Sequence, residues 1–328
     1  MRSIRRILVA VKNPAARSPV LVAKAAQLAK ASGAELELFH ALDAPVFVEM
    51  IGSQRPAKAY EHATRKEALE SLERLATRLR RHGLRVTTRA EWDFPAADAI
   101  VRRATATRAD LIVAGRHAGK HTIAWLLGLT DWELLRTSPV PVLLVKSTQL
   151  YRRPAVLAAI DPAHAFAKPS KLDSEILRIG AEITRATRGS LHALHSYLPN
   201  PFVAPALAET TSAGFAVQLR KDAEKTARAR FDKALASTDI PSSRRHLLDS
   251  HPVDAIPSAA RRTRSAIVVM GAISRSGLKR LFIGNTAERV LDRLTCDVLV
   301  VKPKKFASRV SHARRGVHWV AAAPLAVP

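Results

Sequence analysis

A single cysteine, Cys296, stands in 328 residues, so the chain can form no internal disulfide. Its place just before the last apolar run reads as a small hydrophobe in a core, and so little cysteine suits a reducing cytoplasm. Aromatic residues make up only 5% of the chain and do not interleave with the basic ones as in a nucleic-acid motif. No apolar run approaches the roughly 20 residues of a membrane-spanning helix. The start, MRSIRRILVAVK, has the basic opening of an export signal, but its apolar part is strand-sized and no A-x-A-like cleavage site follows. It reads as a first strand. Nucleophile elbow, paired-cysteine metal site and dinucleotide glycine fingerprint are all missing, so hydrolase and dehydrogenase chemistry lack support.

Acidic residues are also scarce. None precedes Glu35, none follows Asp297, and the formal charge is +25. A field of that sign attracts nucleic acid, nucleotides or anionic membrane surfaces. The plainer reading is a set of solvated helix faces written with arginine.

What is present is a repeat. Ile267 to Lys302, IVVMGAISRSGLKRLFIGNTAERVLDRLTCDVLVVK, follows the same plan as Leu111 to Lys146, LIVAGRHAGKHTIAWLLGLTDWELLRTSPVPVLLVK. Gly115 and Gly271, Gly128 and Gly284, Lys146 and Lys302 are all 156 positions apart. Two copies of one domain follow from so regular a shift. The expected division is 1–148, 153–303 and a basic, then Ala/Pro-rich tail, 304–328, without fixed structure.

In each copy, apolar strands alternate with amphipathic helices. The first copy gives strands at Ile4–Val11, Glu35–Ala41, Leu84–Trp92, Asp110–Gly115 and Pro141–Lys146. Ser18 and Pro19 suit a helix start, and Gly33 and Gly83 suit helix stops. Leu69, Leu72, Leu75 and Leu79 share one helix face, and Thr130 with Glu133 has capping-box spacing. The second copy repeats the order, with a helix ended by Gly189 and a stripe of Leu219, Ala223, Ala227, Phe231 and Leu235. Alternating strands and helices imply two doubly wound, five-stranded parallel-sheet α/β domains in tandem. Ligands of such sheets sit beyond the carboxyl ends of the strands.

At that end of the second copy stand Asp161 after strand one and Gly271, Ser274, Gly284, Asn285 and Thr286 after strand four. Glycines let backbone N–H groups approach a phosphate, a helix N-terminus presents unpaired donors, and an aspartate accepts from a ribose hydroxyl or an amine. The bland alternative is that Gly271 and Gly284 merely shape a turn and a helix entry. The first copy has Lys12, Gly115, Ala118, Gly128, Leu129 and Thr130 at the matching places. GRHAGKHT imitates a P-loop, but its glycines are too close and His121 separates Lys120 from Thr122. His117 and His121 have metal-ligand spacing without a third ligand and read as solvated loop residues. His40, His192 and His195 read as satisfied core or rim histidines of the second strands.

The strand–Gly–loop–GNTAERVL–strand pattern with its strand-one aspartate resembles a universal stress protein domain, whose nucleotide signature is G-x2-G-x9-G-[S/T]. With two copies, TDWELLR in the first and GNTAERVLDRLTCDVLVVKP in the second, residues 4 to 305 resemble the tandem, E-type universal stress proteins. The resemblance implies an adenine-nucleotide alpha-hydrolase-like sheet of order 3-2-1-4-5, a cytoplasmic, non-enzymatic role in stress survival, and ATP as candidate ligand. It also implies pairing of the last strands, PVLLV and DVLVV, into an intramolecular pseudo-dimer, with a homodimer as a further state. The signature departs from the family in both copies. Ser274 replaces the middle glycine, at a cost of about 1 kcal/mol if a positive φ is needed there, and Asn285 precedes Thr286 where a hydroxyl residue is usual. In the first copy Lys12, Ala118 and Leu129 replace the aspartate, the middle glycine and the hydroxyl residue, which implies that this copy binds no ATP.

The connections after strand two, PVFVEMIG and LPNPFVAPALAE, are more apolar than solvated loops. As lids, as the lining of an apolar, lipid-like ligand cavity or as packing between copies they all make sense; packing with an apolar cavity is favoured. The competing class is a basic interaction protein acting on a polyanion.

Overall fold

The computed structural model describes residues 4–16, 19–44, 46–47, 54–115, 130–163, 171–198, 213–272, 285–304 and 306–320. The chain divides into two compact units, 1–150 with 307–328, and 151–306.

In unit 1 a parallel sheet is built from β1 (Arg6–Ala10), β2 (Glu35–Leu42), β4 (Val86–Trp92), β5 (Leu111–Gly115) and β6 (Val142–Val145). Pairings run β4 to β2, β2 to β1, β1 to β5 and β5 to β6. Counting main strands along the chain, the order is 3-2-1-4-5. Ile7, Leu8 and Val9 are buried because a parallel sheet is covered on both faces, which is why its strands are continuous apolar runs. Helices α1 (Val20–Ser32), α2 (Gln54–Arg81), α3 (Ala96–Ala106) and α4 (Thr130–Thr137) supply the cover.

Several local details differ from the sequence pattern. Pro19 is the residue before α1, with no side-chain cap, and Ser18 lies outside the described residues. The sequence pattern places the start of α2 after Pro56; the helix begins at Gln54, so Pro56 falls in its first turn, where the missing N–H costs nothing. Of its leucine face, Leu72 and Leu75 are buried while Leu69 and Leu79 are half-buried. Glu133, placed by spacing to cap α4, pairs with Arg136.

Unit 2 repeats the plan with β7 (Ala155–Ala159), β8 (Ser190–Tyr197), β9 (Arg245–Asp249), β10 (Ser265–Gly271) and β11 (Asp297–Val301). The pairings β9–β8, β8–β7, β7–β10 and β10–β11 give the same order. Its helices are α5 (Leu172–Thr187), α6 (Ala213–Leu235), α7 (Pro252–Arg262) and α8 (Asn285–Arg293). On α6 the stripe is buried at Ala227, Phe231 and Leu235, whereas Leu219 is 37% exposed. A regular apolar spacing fixes a face but not how far the neighbour beneath it extends. Arg188, in the left-handed region, closes α5. Gly189 has a different reason: a β-carbon there would stand 2.2 Å from the Pro154 carbonyl oxygen, which accepts the Ser190 N–H. Cys296 is half-buried and so is no core hydrophobe.

The tail corrects an expectation. The tail, 304–328, is expected from composition to be mostly without fixed structure, yet β12 (Trp319–Val320) pairs in parallel with β3 (Val46–Phe47), and the segment before it lies along unit 1. Ser308 Oγ donates to the Thr137 carbonyl and the Arg315 N–H to Asp93 Oδ1. Composition counts apolar residues available for a core. This segment is instead held by main-chain hydrogen bonds and charge.

Candidate functional site

In unit 2 the carboxyl ends of β7 and β10 lie side by side, with Ala159 opposite Met270. Asp161 and Gly271 therefore emerge next to each other. The Asp161 N–H donates to Asp173 Oδ1 at 3.1 Å, and Asp173 is buried in the first turn of α5. That bond ties the turn after β7 to the helix that crosses the sheet. Asp173 was not singled out from sequence; an acid in the first turn of a helix was the only signal for it.

Gly271 has a steric cause. A β-carbon would meet Leu172 Cδ2 at 2.6 Å and Ile176 Cδ1 at 3.4 Å, so α5 sits directly over the strand end. Gly115 in unit 1 has only Leu21 Cδ2 at 3.8 Å, an ordinary contact. Asn285 and Thr286 open α8, whose N-terminus presents donors of the kind an anion needs. Ser274 and Gly284 lie outside the described residues, as do Ala118, Gly128 and Leu129. In unit 1, Lys12 follows the end of β1, Gly115 ends β5 and Thr130 opens α4.

Both units fasten strand two to the end of strand one through a histidine. His40 Nδ1 lies 2.8 Å from the Val11 carbonyl, and His195 Nδ1 lies 3.4 Å from the Ile160 carbonyl. A carbonyl only accepts, so Nδ1 carries the proton in each. Burial pushes the His40 imidazole below its ordinary value, against the opposing pull of the Val11 carbonyl and Asp43. His192 on β8 stacks on His246 on β9, with ring centroids 5.3 Å apart and Nδ1 to Nε2 at 3.1 Å. Burial lowers both, and each also faces positive charge: His246 and Arg244 act on His192, Arg262 on His246. Among the described residues no group of three or more His, Cys, Asp or Glu side chains is placed to hold a metal. His117 and His121 lie outside them.

Most of the two apolar connections also lies outside the described residues. Two clefts of unit 1 mix charged and apolar lining. One of about 860 Å³ lies between Pro14–Ala16 and α2 and includes Glu70, Glu73, Arg74, Arg78 and Arg81. None of the described helices is long and apolar enough to cross a membrane.

The model of the universal stress protein family matches residues 3–146 and 155–302, one match for each copy. The chain belongs to that family. Universal stress protein E of Escherichia coli K12 is 28% identical over 231 residues, covering 70% of this chain and 72% of its own. The universal stress protein E homolog of Haemophilus influenzae is 26% identical over 219 residues, 65% of this chain and 69% of its own. A putative universal stress protein from Pseudomonas aeruginosa matches with a TM-score of 0.67 at 26% identity, over 92% of this chain and 94% of its own. One from Archaeoglobus fulgidus, at 17% identity and a TM-score of 0.60, shares the fold over 92% of this chain and 98% of its own. The two copies are thus two universal stress protein domains in tandem.

Proposed function

We propose that this universal stress protein acts by binding, without turnover, in the cytoplasm, and that its nucleotide site, for ATP, belongs to unit 2 alone. The observation that carries this reading is the contrast at one place in the repeat. Where β7 ends, Asp161 is held by α5 beside Gly271; where β1 ends, Lys12 stands instead. An acceptor at the strand end and donors at the α8 N-terminus suit the two ends of a nucleotide, a hydroxyl-bearing sugar and a phosphate. A lysine at the first position offers no acceptor. Gly271 argues less, since packing of Leu172 already requires it. Native mass spectrometry of the freshly purified chain tests the reading. A retained adenine nucleotide that is lost on Gly284→Val is the expected result; a chain that stays empty when ATP is added contradicts it.

A second reading rests on α6, whose Arg220, Lys221, Lys225, Arg230 and Lys233 are all exposed. The same helix also exposes Asp222, Glu224 and Asp232, and its net positive charge suits a polyanion. Binding of nonspecific DNA that weakens steeply with salt would favour it, and no binding at low salt would remove it.

A further inference from the structure

The tail and the part of unit 1 beneath it are unlike in construction. Every described residue from 306 to 320 is half-buried or exposed, so no hydrophobic core holds the segment. Beneath it, Asp93, Glu91, Arg102 and Val46 are buried. Asp93 and Arg102 form a two-pronged ion pair, Nε to Oδ2 at 2.7 Å and Nη2 to Oδ1 at 2.8 Å.

The pair has donors and acceptors to spare: Arg102 Nη2 also donates to the Phe94 carbonyl at 3.4 Å, and a further donor and acceptor reach the main chain of the tail. Arg102 Nη1 donates to the Ser311 carbonyl at 3.2 Å, and Asp93 Oδ1 accepts the Arg315 N–H at 2.9 Å. The Val46 N–H donates to the His318 carbonyl at 2.8 Å, where the short β3–β12 pairing begins. Main-chain pairing along an exposed edge is a general way of holding an extended peptide. Side chains add selectivity. The His318 ring stacks on Phe94 at 4.4 Å, the Arg315 guanidinium lies 5.8 Å from that ring, and Arg314 and Arg315 face Glu91 and Asp98 at 3.5 and 3.7 Å. Both arginines are at least half exposed, so each ion pair is weak and screened by salt.

We propose that residues 307–320 are a releasable strap over a groove of unit 1, and that this groove docks an extended, arginine-bearing peptide. In a closed chain its own strap fills it. In an opened chain the strap of a second copy does. The proposal is independent of nucleotide binding by unit 2.

The probe is a fluorescein-labelled peptide of residues 307–320, titrated into the full-length chain and into full-length Arg314→Glu/Arg315→Glu. The strap competes in the first and is loosened in the second, so the variant should bind the peptide at least about tenfold more tightly. Adding Phe94→Ala to the variant should weaken that binding. Equal affinity for both chains, or no binding to the variant, overturns the proposal. Hydrogen exchange on the unsubstituted chain avoids any dependence on the variant's folding. Raising the salt should speed exchange at the Val46 and Arg315 amides while β1 stays protected; amides as protected as β1 at every salt concentration also overturn it.

Discussion

A β-carbon on Gly271 would stand 2.6 Å from Leu172 Cδ2, whereas the matching glycine of the first copy, Gly115, has its nearest such neighbour at 3.8 Å. Leu172 is fully buried and cannot swing into solvent. Gly271→Ala should therefore destabilise unit 2 by about 1–3 kcal/mol, the usual cost of overpacking. Gly115→Ala should be neutral or stabilise by no more than about 1 kcal/mol, through the unfolded chain. Urea titration of both variants checks the contrast.

Arg102 and Asp93 are both nearly inaccessible in the structure, at 6% and 2% side-chain exposure. Removing one charge leaves the other buried without its partner. Arg102→Ala should cost about 3–5 kcal/mol in unit 1, and Asp93→Leu/Arg102→Leu should cost less than Arg102→Ala alone. A double variant as damaged as the single would show that the pair contributes more than its desolvation costs.

These two sites show how far the sequence was legible. The repeat and the strands followed from β-branched runs and a constant shift, which extends even to Arg108 and Arg264, both at positive φ before strand four, while the sheet order followed from the family resemblance. The place of Asp161 and Gly271 followed too, because strand ends are fixed by where the apolar runs stop. The reason for Gly271 did not, since it lies in the side chain of a helix a hundred residues earlier. The strap was missed for the same cause. Its partners, Asp93, Phe94 and Val46, are more than 200 residues away, and a two-residue strand has no periodicity to read. Leu219 fits its stripe in sequence, but a stripe does not show where its cover ends.

His192 and His246 give unit 2 an acid sensitivity. Both titrate below the ordinary value of 6.5 in the folded chain, so the unfolded chain takes up protons first as pH falls. Their contribution to stability is whole above about pH 6.5 and is lost as pH drops through the folded-state values. Denaturation midpoints measured from about pH 7.5 to 5.5 should fall, and His192→Asn/His246→Asn should flatten that slope.

Tyr151 donates to Asp297 Oδ2 at 2.5 Å, both buried, at the start of β11. Burial, then the charge of Asp297, pushes the phenol well above its ordinary range. Tyr151→Phe should cost about 1–3 kcal/mol by removing a donor from a buried carboxylate. In ultraviolet titration Tyr151 should ionise last of the three tyrosines, only as unit 2 unfolds.

The assignment of the nucleotide site to unit 2 is tested most directly by calorimetric titration of ATP into three full-length chains: unsubstituted, Asp161→Lys and Lys12→Asp. Asp161→Lys gives the second copy the residue of the first. A single ATP per chain, abolished by Asp161→Lys and unaffected by Lys12→Asp, is the expected result. ATP binding that survives Asp161→Lys unchanged would contradict it.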